Sequence, residues 1–379
     1  MSMPAANGRN FSTSFSIGHN GYVSSGASGT GYFSDLWKWD QTTNTWTQLA
    51  NYPGMGDYAQ SSFAIGGKGY VGLGQTGSTI GNDLWAYDTT SNSWTSKAVF
   101  PGAARYSAFG FSVGTDGFVG CGSSGSAPYH HDVWKYNSLS DTWTQLSNYP
   151  GGNREGLNYF TIGHVAYIGN GWDGSMLYSD FWQYNSSNDS WTTLPPTPIA
   201  NGVGSSAAFA IGSNGYVCAG CGSSGNTRTF FKLDTMTKTW STLQKFGGVS
   251  RCYPTGFSIN GKGYVSAGTD SLGNQLFDLW EYSPPTFAGI RETVVNAFII
   301  SVYPNPSSGL VYFNITGHRE NDAMLNIIDL QGRLVHSLLI NKSTSLVTFD
   351  GSILDRGVYF YQFISEEKIL STGKLVLGK

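Results

Sequence analysis

Charge is scarce in this chain: Asp, Glu, Lys and Arg make up 12% of its 379 residues, about half the share usual in soluble proteins. A net charge of −3, with 21 Lys and Arg scattered along the sequence, offers no basic face to neutralise phosphates, which excludes nucleic acid as a partner. Long apolar runs are missing too. The longest, Val294 to Val302, is interrupted by Asn296 and Ser301 and falls far short of the ~20 residues that cross a bilayer, so no membrane span is expected. Four cysteines, Cys121, Cys218, Cys221 and Cys252, are too few and too scattered for a disulfide framework. Glutamate is almost absent from the first three quarters, where Glu155 is the single example before Glu281; that removes most of the side chains from which acid/base pairs are built. No helical apolar period appears, so the chain reads as all-β.

What is plentiful is glycine, with 51 residues, and aromatic side chains, at 15%, and both are periodic. Phe15, Phe63, Phe111, Phe160, Phe209 and Phe257 follow one another at steps of 48, 48, 49, 49 and 48, a period that means ringed or stacked units. Each unit reads as four short strands. A glycine-bearing hairpin such as Gly66-Gly-Lys-Gly69 follows the phenylalanine, and a second strand starts at Tyr22, Tyr70, Phe118, Tyr167, Tyr216 or Tyr264. The third strand carries Trp37, Trp85, Trp134, Trp182, Phe231 or Trp280, and the fourth opens nine residues later at Trp46, Trp94, Trp143, Trp191 and Trp240. The sixth unit lacks that last tryptophan.

These motifs resemble the kelch repeat, and the resemblance implies a six-bladed kelch-type β-propeller over residues 1–282 with the tryptophans as blade packing. One feature departs from the family: of the two adjacent glycines after the second strand only the second is present, at Gly26, Gly74, Gly122, Gly171, Gly220 and Gly268. A linker opening with Ser283-Pro-Pro-Thr occupies 283–301, and residues 302–379 alternate in short segments that read as a small immunoglobulin-like β-sandwich. Val302-Tyr-Pro304-Asn305-Pro306-Ser-Ser-Gly309, Asp329-Leu-Gln-Gly332-Arg333, Gly357-Val-Tyr359 and a terminal Gly373-Lys-Leu-Val-Leu-Gly-Lys379 look like the C-terminal sorting domain of the type IX secretion system. That resemblance implies the secretion machinery as a partner, and a destination outside a Gram-negative cell, secreted or on its surface.

Counting six residues back from each phenylalanine gives Arg9, Asp57, Arg105, Arg154, Val203 and Arg251. The four arginines either ring the channel mouth as an anion site or brace the blades through aspartate and carbonyl partners. On the loops of the same face, Trp172 beside Asp173 suits a sugar ring, with an apolar surface to stack on and a carboxylate for hydroxyls, although an exposed tryptophan also caps a blade. His130 and His131 are adjacent on extended backbone and point apart, so no metal site and no cofactor is expected. Cys221 and Cys252 fall on facing ends of neighbouring blades and are a candidate disulfide, against a Cys218–Cys221 redox or metal pair. The reading is a propeller that binds a glycan or protein ligand. The alternative is an enzyme acting on an acidic sugar, because Glu155 next to Arg154 is reminiscent of sialic-acid mutarotases. A last expectation concerns closure: Trp46, Trp94 and Trp143 each precede a proline by seven residues, so Pro4 implies a tryptophan-bearing strand upstream of Met1, after a signal peptide, that completes the sixth blade.

Overall fold

The computed structural model describes residues 2–3, 8–125, 129–284, 299–316, 321–330, 333–365 and 368–378. They form two units, Met1–Pro285 and Thr286–Lys379. In the first, each repeat folds into one antiparallel sheet in chain order. The third is typical, with strands Phe109–Val113, Asp116–Gly120, Val133–Asn137 and Thr142–Gln145. The first strands of successive sheets pack side by side, and that of the sixth, Thr255–Ile259, returns to that of the first, Thr13–Ile17. A closed ring of such sheets is a β-propeller.

The repeat phenylalanine holds this ring together. It pairs across the hairpin with the second-strand aromatic, Phe63 with Tyr70 and Phe111 with Phe118, the rings stacked 5.1 and 4.9 Å apart. Its outer edge fills a space that the next blade leaves open. A Cβ on Gly69 would strike the ring of Phe15, one on Gly117 that of Phe63, and one on Gly21 that of Phe257. The second hairpin glycine is therefore required as a hole for a neighbouring ring, while the first, Gly66 or Gly114, supplies the positive φ of the turn. Fourth-strand tryptophans latch the second, third and fifth blades to their predecessors: the indole N–H of Trp94 donates to the Ala50 carbonyl at 2.8 Å, Trp143 to Ala98 at 2.9 Å and Trp240 to Pro195 at 2.9 Å.

The glycine after the second strand closes a second ring. Gly26, Gly74, Gly122, Gly171, Gly220 and Gly268 donate their N–H groups to the carbonyls of Asp57, Arg105, Arg154, Val203, Arg251 and Arg9, at 2.6 to 3.0 Å. A Cβ on Gly122 would lie 2.7 Å from the Tyr106 carbonyl oxygen. The residues in the first place of the pair, Ser25, Leu73, Cys121, Asn170, Ala219 and Ala267, all hold φ near +60°, so the left-handed geometry persists although glycine does not.

Among the described residues the sixth sheet has three strands, ending at Leu279–Tyr282. Beside that edge, where the other blades hold a fourth strand, lies a cavity of about 590 Å³ lined by Leu243, Gln244, Phe246, Trp280 and Tyr282. After each fourth strand a backbone N–H returns to the third-strand side, as from Phe100 to Asn82; Met3 makes the equivalent bond to Phe277 at 2.9 Å.

The second unit is sandwich-like, with a sheet of Ile299–Tyr303, Leu310–Thr316 and Leu346–Asp350, and another of Leu334–Ile340, Ala323–Ile328, Gly357–Ser365 and Lys368–Leu377. Val311, Phe313, Leu325, Ile327, Phe363 and Leu375 are buried between them. Its first strand begins at Ile299, ahead of the boundary at 302 that the motifs suggest.

Candidate functional site: the channel mouth

The four arginines do not form a basic patch. Arg9, Arg105, Arg154 and Arg251 are at most 1% exposed, and each folds back on an aspartate at the start of its own third strand. Arg105 grips Asp132 with both terminal nitrogens at 2.6 and 3.0 Å, Arg251 grips Asp278 at 2.6 and 2.8 Å, and Arg9 and Arg154 reach Asp35 and Asp180. The same aspartates accept the third-strand indole N–H, Trp134 to Asp132 at 2.7 Å and Trp280 to Asp278 at 2.6 Å. Burial raises the carboxyls of Asp132 and Asp278, but the bonds from arginine outweigh it and both sit below the usual range. The anion-site reading is thus corrected in favour of bracing. A guanidinium at most 1% exposed and already paired with a carboxylate presents no charge to a ligand, and releasing it would strand both charges. A sequence signal existed: in the fifth blade Val203, Thr229 and Phe231 replace arginine, aspartate and tryptophan together.

The channel itself is built one register further on. Phe11, Ala59, Ser107, Gly156, Ser205 and Tyr253 all have φ between 47 and 62°. Around the channel their backbones bond in sequence, Ala59 N–H to Phe11 carbonyl at 2.9 Å, Ser107 to Ala59 at 2.8 Å, and so on through Tyr253 to Ser205 at 3.1 Å. Just before this collar stand Tyr58, Tyr106 and Glu155, at one position of three successive blades, each bridged to the strand-two loop, Glu155 to Trp172. These residues line a cavity of about 450 Å³ with Phe11, Trp172 and Tyr253. Phe11 stacks on Tyr253 at 3.7 Å, Tyr58 meets Phe11 edge-on at 5.6 Å, and Tyr129 lies 5.8 Å from Trp172. Below, the channel continues into a polar throat of about 150 Å³ that includes Ser12, Gln60 and Ser206. Their Oγ, Oε1 and Oγ atoms are buried without a protein partner.

Glu155 is the charged group of this mouth. Its Oε2 is buried with no hydrogen-bond partner, and loss of solvent pushes its pKa from 4.5 up to about 7. It acts electrostatically on Tyr58, Tyr129 and Tyr253. Trp172 keeps 39% of its surface exposed at the rim. Asp173 serves otherwise. It accepts from the Ser175 N–H and hydroxyl at 2.8 Å, the Met176 N–H at 2.9 Å and the Tyr178 hydroxyl at 2.7 Å. Burial raises its carboxyl, but these bonds hold it well below the usual range, so it shapes the loop. Of the pair expected from the sequence, Trp172 lines the cavity and Asp173 does not, whereas Glu155 does. Phe11, Tyr58, Tyr106 and Tyr253 escaped sequence reasoning, although Tyr58, Tyr106 and Glu155 stand at a constant five residues before the repeat phenylalanine. Cys221 and Cys252 are bonded, with Cα atoms 4.7 Å apart, beside the mouth; Cys121 and Cys218 are free and buried.

In the second unit, Asn305 ties the segment before the second strand to the last strand, donating to the Lys374 carbonyl at 2.7 Å and accepting from the Val376 N–H at 2.8 Å, while the flanking Pro304 and Pro306 are exposed. The turn ending at Gly309 is set by Ser307, whose hydroxyl accepts the Gly309 N–H at 3.2 Å. Arg333 reaches back to Asp329 at 2.7 Å, Gly357 pairs with Leu377, and the Tyr359 hydroxyl donates to the Asp355 carbonyl at 2.8 Å. Gly332 lies outside the described residues.

Comparison with known proteins divides the chain in the same way. Residues 301–378 match the secretion system C-terminal sorting domain. The protein is therefore delivered by type IX secretion to the outside of a Gram-negative cell, into the medium or onto the surface. No curated protein matches the chain. Among solved structures, that of YjhT superposes with a TM-score of 0.65 at 15% identity, covering 76% of this chain and 97% of its own. At that identity the likeness speaks for the propeller fold.

Proposed function

We propose that this is an exported kelch-type propeller that holds a pyranose at its channel mouth, the ring lying on the aromatic surfaces of Trp172, Tyr58 and Tyr253 and a hydroxyl meeting Glu155. The observation that carries this reading is the unpartnered Glu155 carboxyl in an otherwise aromatic cavity. Sugars offer apolar C–H faces for such rings and hydroxyls for a buried acceptor. A sugar carboxylate would meet Glu155 and find every buried arginine of the ring committed, so the reading moves from acidic to non-acidic sugars.

A second reading follows from one property of the same group. A carboxyl titrating near 7 both gives and takes a proton at neutral pH. Its O–H can protonate the ring oxygen while its carbonyl oxygen accepts the anomeric hydroxyl proton; the C1–O5 bond then opens to the aldehyde and recloses on either face. Glycoside hydrolysis is less well served, since it uses two carboxyl groups and Asp173 is committed to its loop. Saturation-transfer NMR on glucose, galactose and mannose, with polarimetry of freshly dissolved anomers, tests both. Binding without acceleration supports the binding module, acceleration abolished by Glu155→Gln supports turnover, and neither binding nor turnover with any pyranose overturns the carbohydrate assignment.

A further inference from the structure

The mouth has the electrostatics of a cation site. Five rings, Phe11, Tyr58, Tyr106, Trp172 and Tyr253, and one carboxyl, Glu155, line it, and aromatic faces present negative charge. The arginines nearest in sequence are sealed behind their aspartates. Tyr58, Tyr129 and Tyr253, which feel the charge of Glu155, are held neutral by burial. A carboxylate here is short of a counter-ion and of solvent, and both deficits are met by one organic ammonium, which gains from the rings as well.

We propose that the sugar held at the mouth is an amino sugar, its ammonium seated between the Glu155 carboxylate and the ring faces while the pyranose lies against Trp172. The inference rests on the carbohydrate reading above. It also selects binding over turnover, because a carboxylate paired with ammonium has no proton to give the ring oxygen.

The test compares glucose, N-acetylglucosamine and glucosamine, which differ only at C2, by calorimetry on the full chain at pH 6.5, with trimethyllysine as a cation that lacks a sugar. Glucosamine is expected to bind at least about tenfold more tightly than the other two sugars. Glu155→Gln should lose that preference, and its tryptophan fluorescence should report an intact propeller. Equal affinity for glucosamine and glucose overturns the amino-sugar inference and leaves the carbohydrate site standing. Trimethyllysine binding more tightly than glucosamine overturns the sugar as the cation's carrier. Failure of all three sugars removes both this inference and the reading beneath it.

Discussion

Replacing Glu155 by glutamine should make the propeller more stable at pH 8 and leave it nearly unchanged at pH 4.5. The folded chain holds the Glu155 proton up to about pH 7, whereas the ordinary value is 4.5. Between those limits the folded state binds more protons than the unfolded chain, so stability falls as pH rises through the window and levels off above it. At about 1.4 kcal/mol per unit the full shift is worth about 3 kcal/mol. Glu155 is only partly buried and keeps some solvation, so about 1–3 kcal/mol is the expected cost of ionisation. Glutamine keeps the shape and has no charge to bury. All 12 tryptophans lie between Trp37 and Trp280, so urea unfolding followed by tryptophan fluorescence reports the propeller alone in the intact protein. The gap between variant and wild type should open from near zero at pH 4.5 to its full size by pH 8. Tyr58, Tyr129 and Tyr253 are shifted upward and do not titrate in that range. A gap independent of pH, or a variant less stable at pH 8, would refute the claim that Glu155 is a desolvated, unpartnered acid.

Arg105→Ala should cost about 3–5 kcal/mol in urea unfolding, the scale for breaking a buried pair, without altering sugar affinity below the melting range; a neutral effect on stability would show that the brace is dispensable. In the fifth blade, Val203→Arg should destabilise because Thr229 offers no carboxylate, and adding Thr229→Asp should recover much of the loss, a coupling that a double-mutant cycle measures. Removing residues 301–378 should trap a folded propeller in the periplasm, and its appearance in the medium would contradict the sorting role.

Much of the fold could be read from the sequence because its determinants are local. Phenylalanine, hairpin glycine and third-strand tryptophan recur at fixed offsets, and offsets fix register and side of the strand. What spacing cannot give is the direction of a long side chain. The count that found Arg105 located its backbone correctly, with its carbonyl in the inter-blade ring, yet the guanidinium turns to Asp132, 27 residues away. The joint loss of arginine, aspartate and tryptophan in the fifth blade held that information, although the second blade keeps Asp83 and Trp85 without an arginine, and it depended on comparing blades rather than inspecting one. Trp172 and Glu155 were visible singly; the backbone bridge that brings them together within the fourth blade is tertiary. In the second unit, Leu334–Ile340 shows no clean alternation of buried and exposed positions, so it left no period-two signal to find.

The collar separates what the mouth holds from what keeps the ring closed. Phe11, Ala59, Ser107, Gly156, Ser205 and Tyr253 share nearly one backbone conformation and carry five different side chains. The phenylalanines, the glycine rings and the Arg–Asp–Trp braces that stabilise the blades lie elsewhere. Side chains at this single register can change from aromatic to hydroxyl to none without disturbing the scaffold, as the six blades already demonstrate within one chain. A library randomised at Ala59, Ser107 and Ser205 alone would therefore explore new ligands on an unchanged propeller.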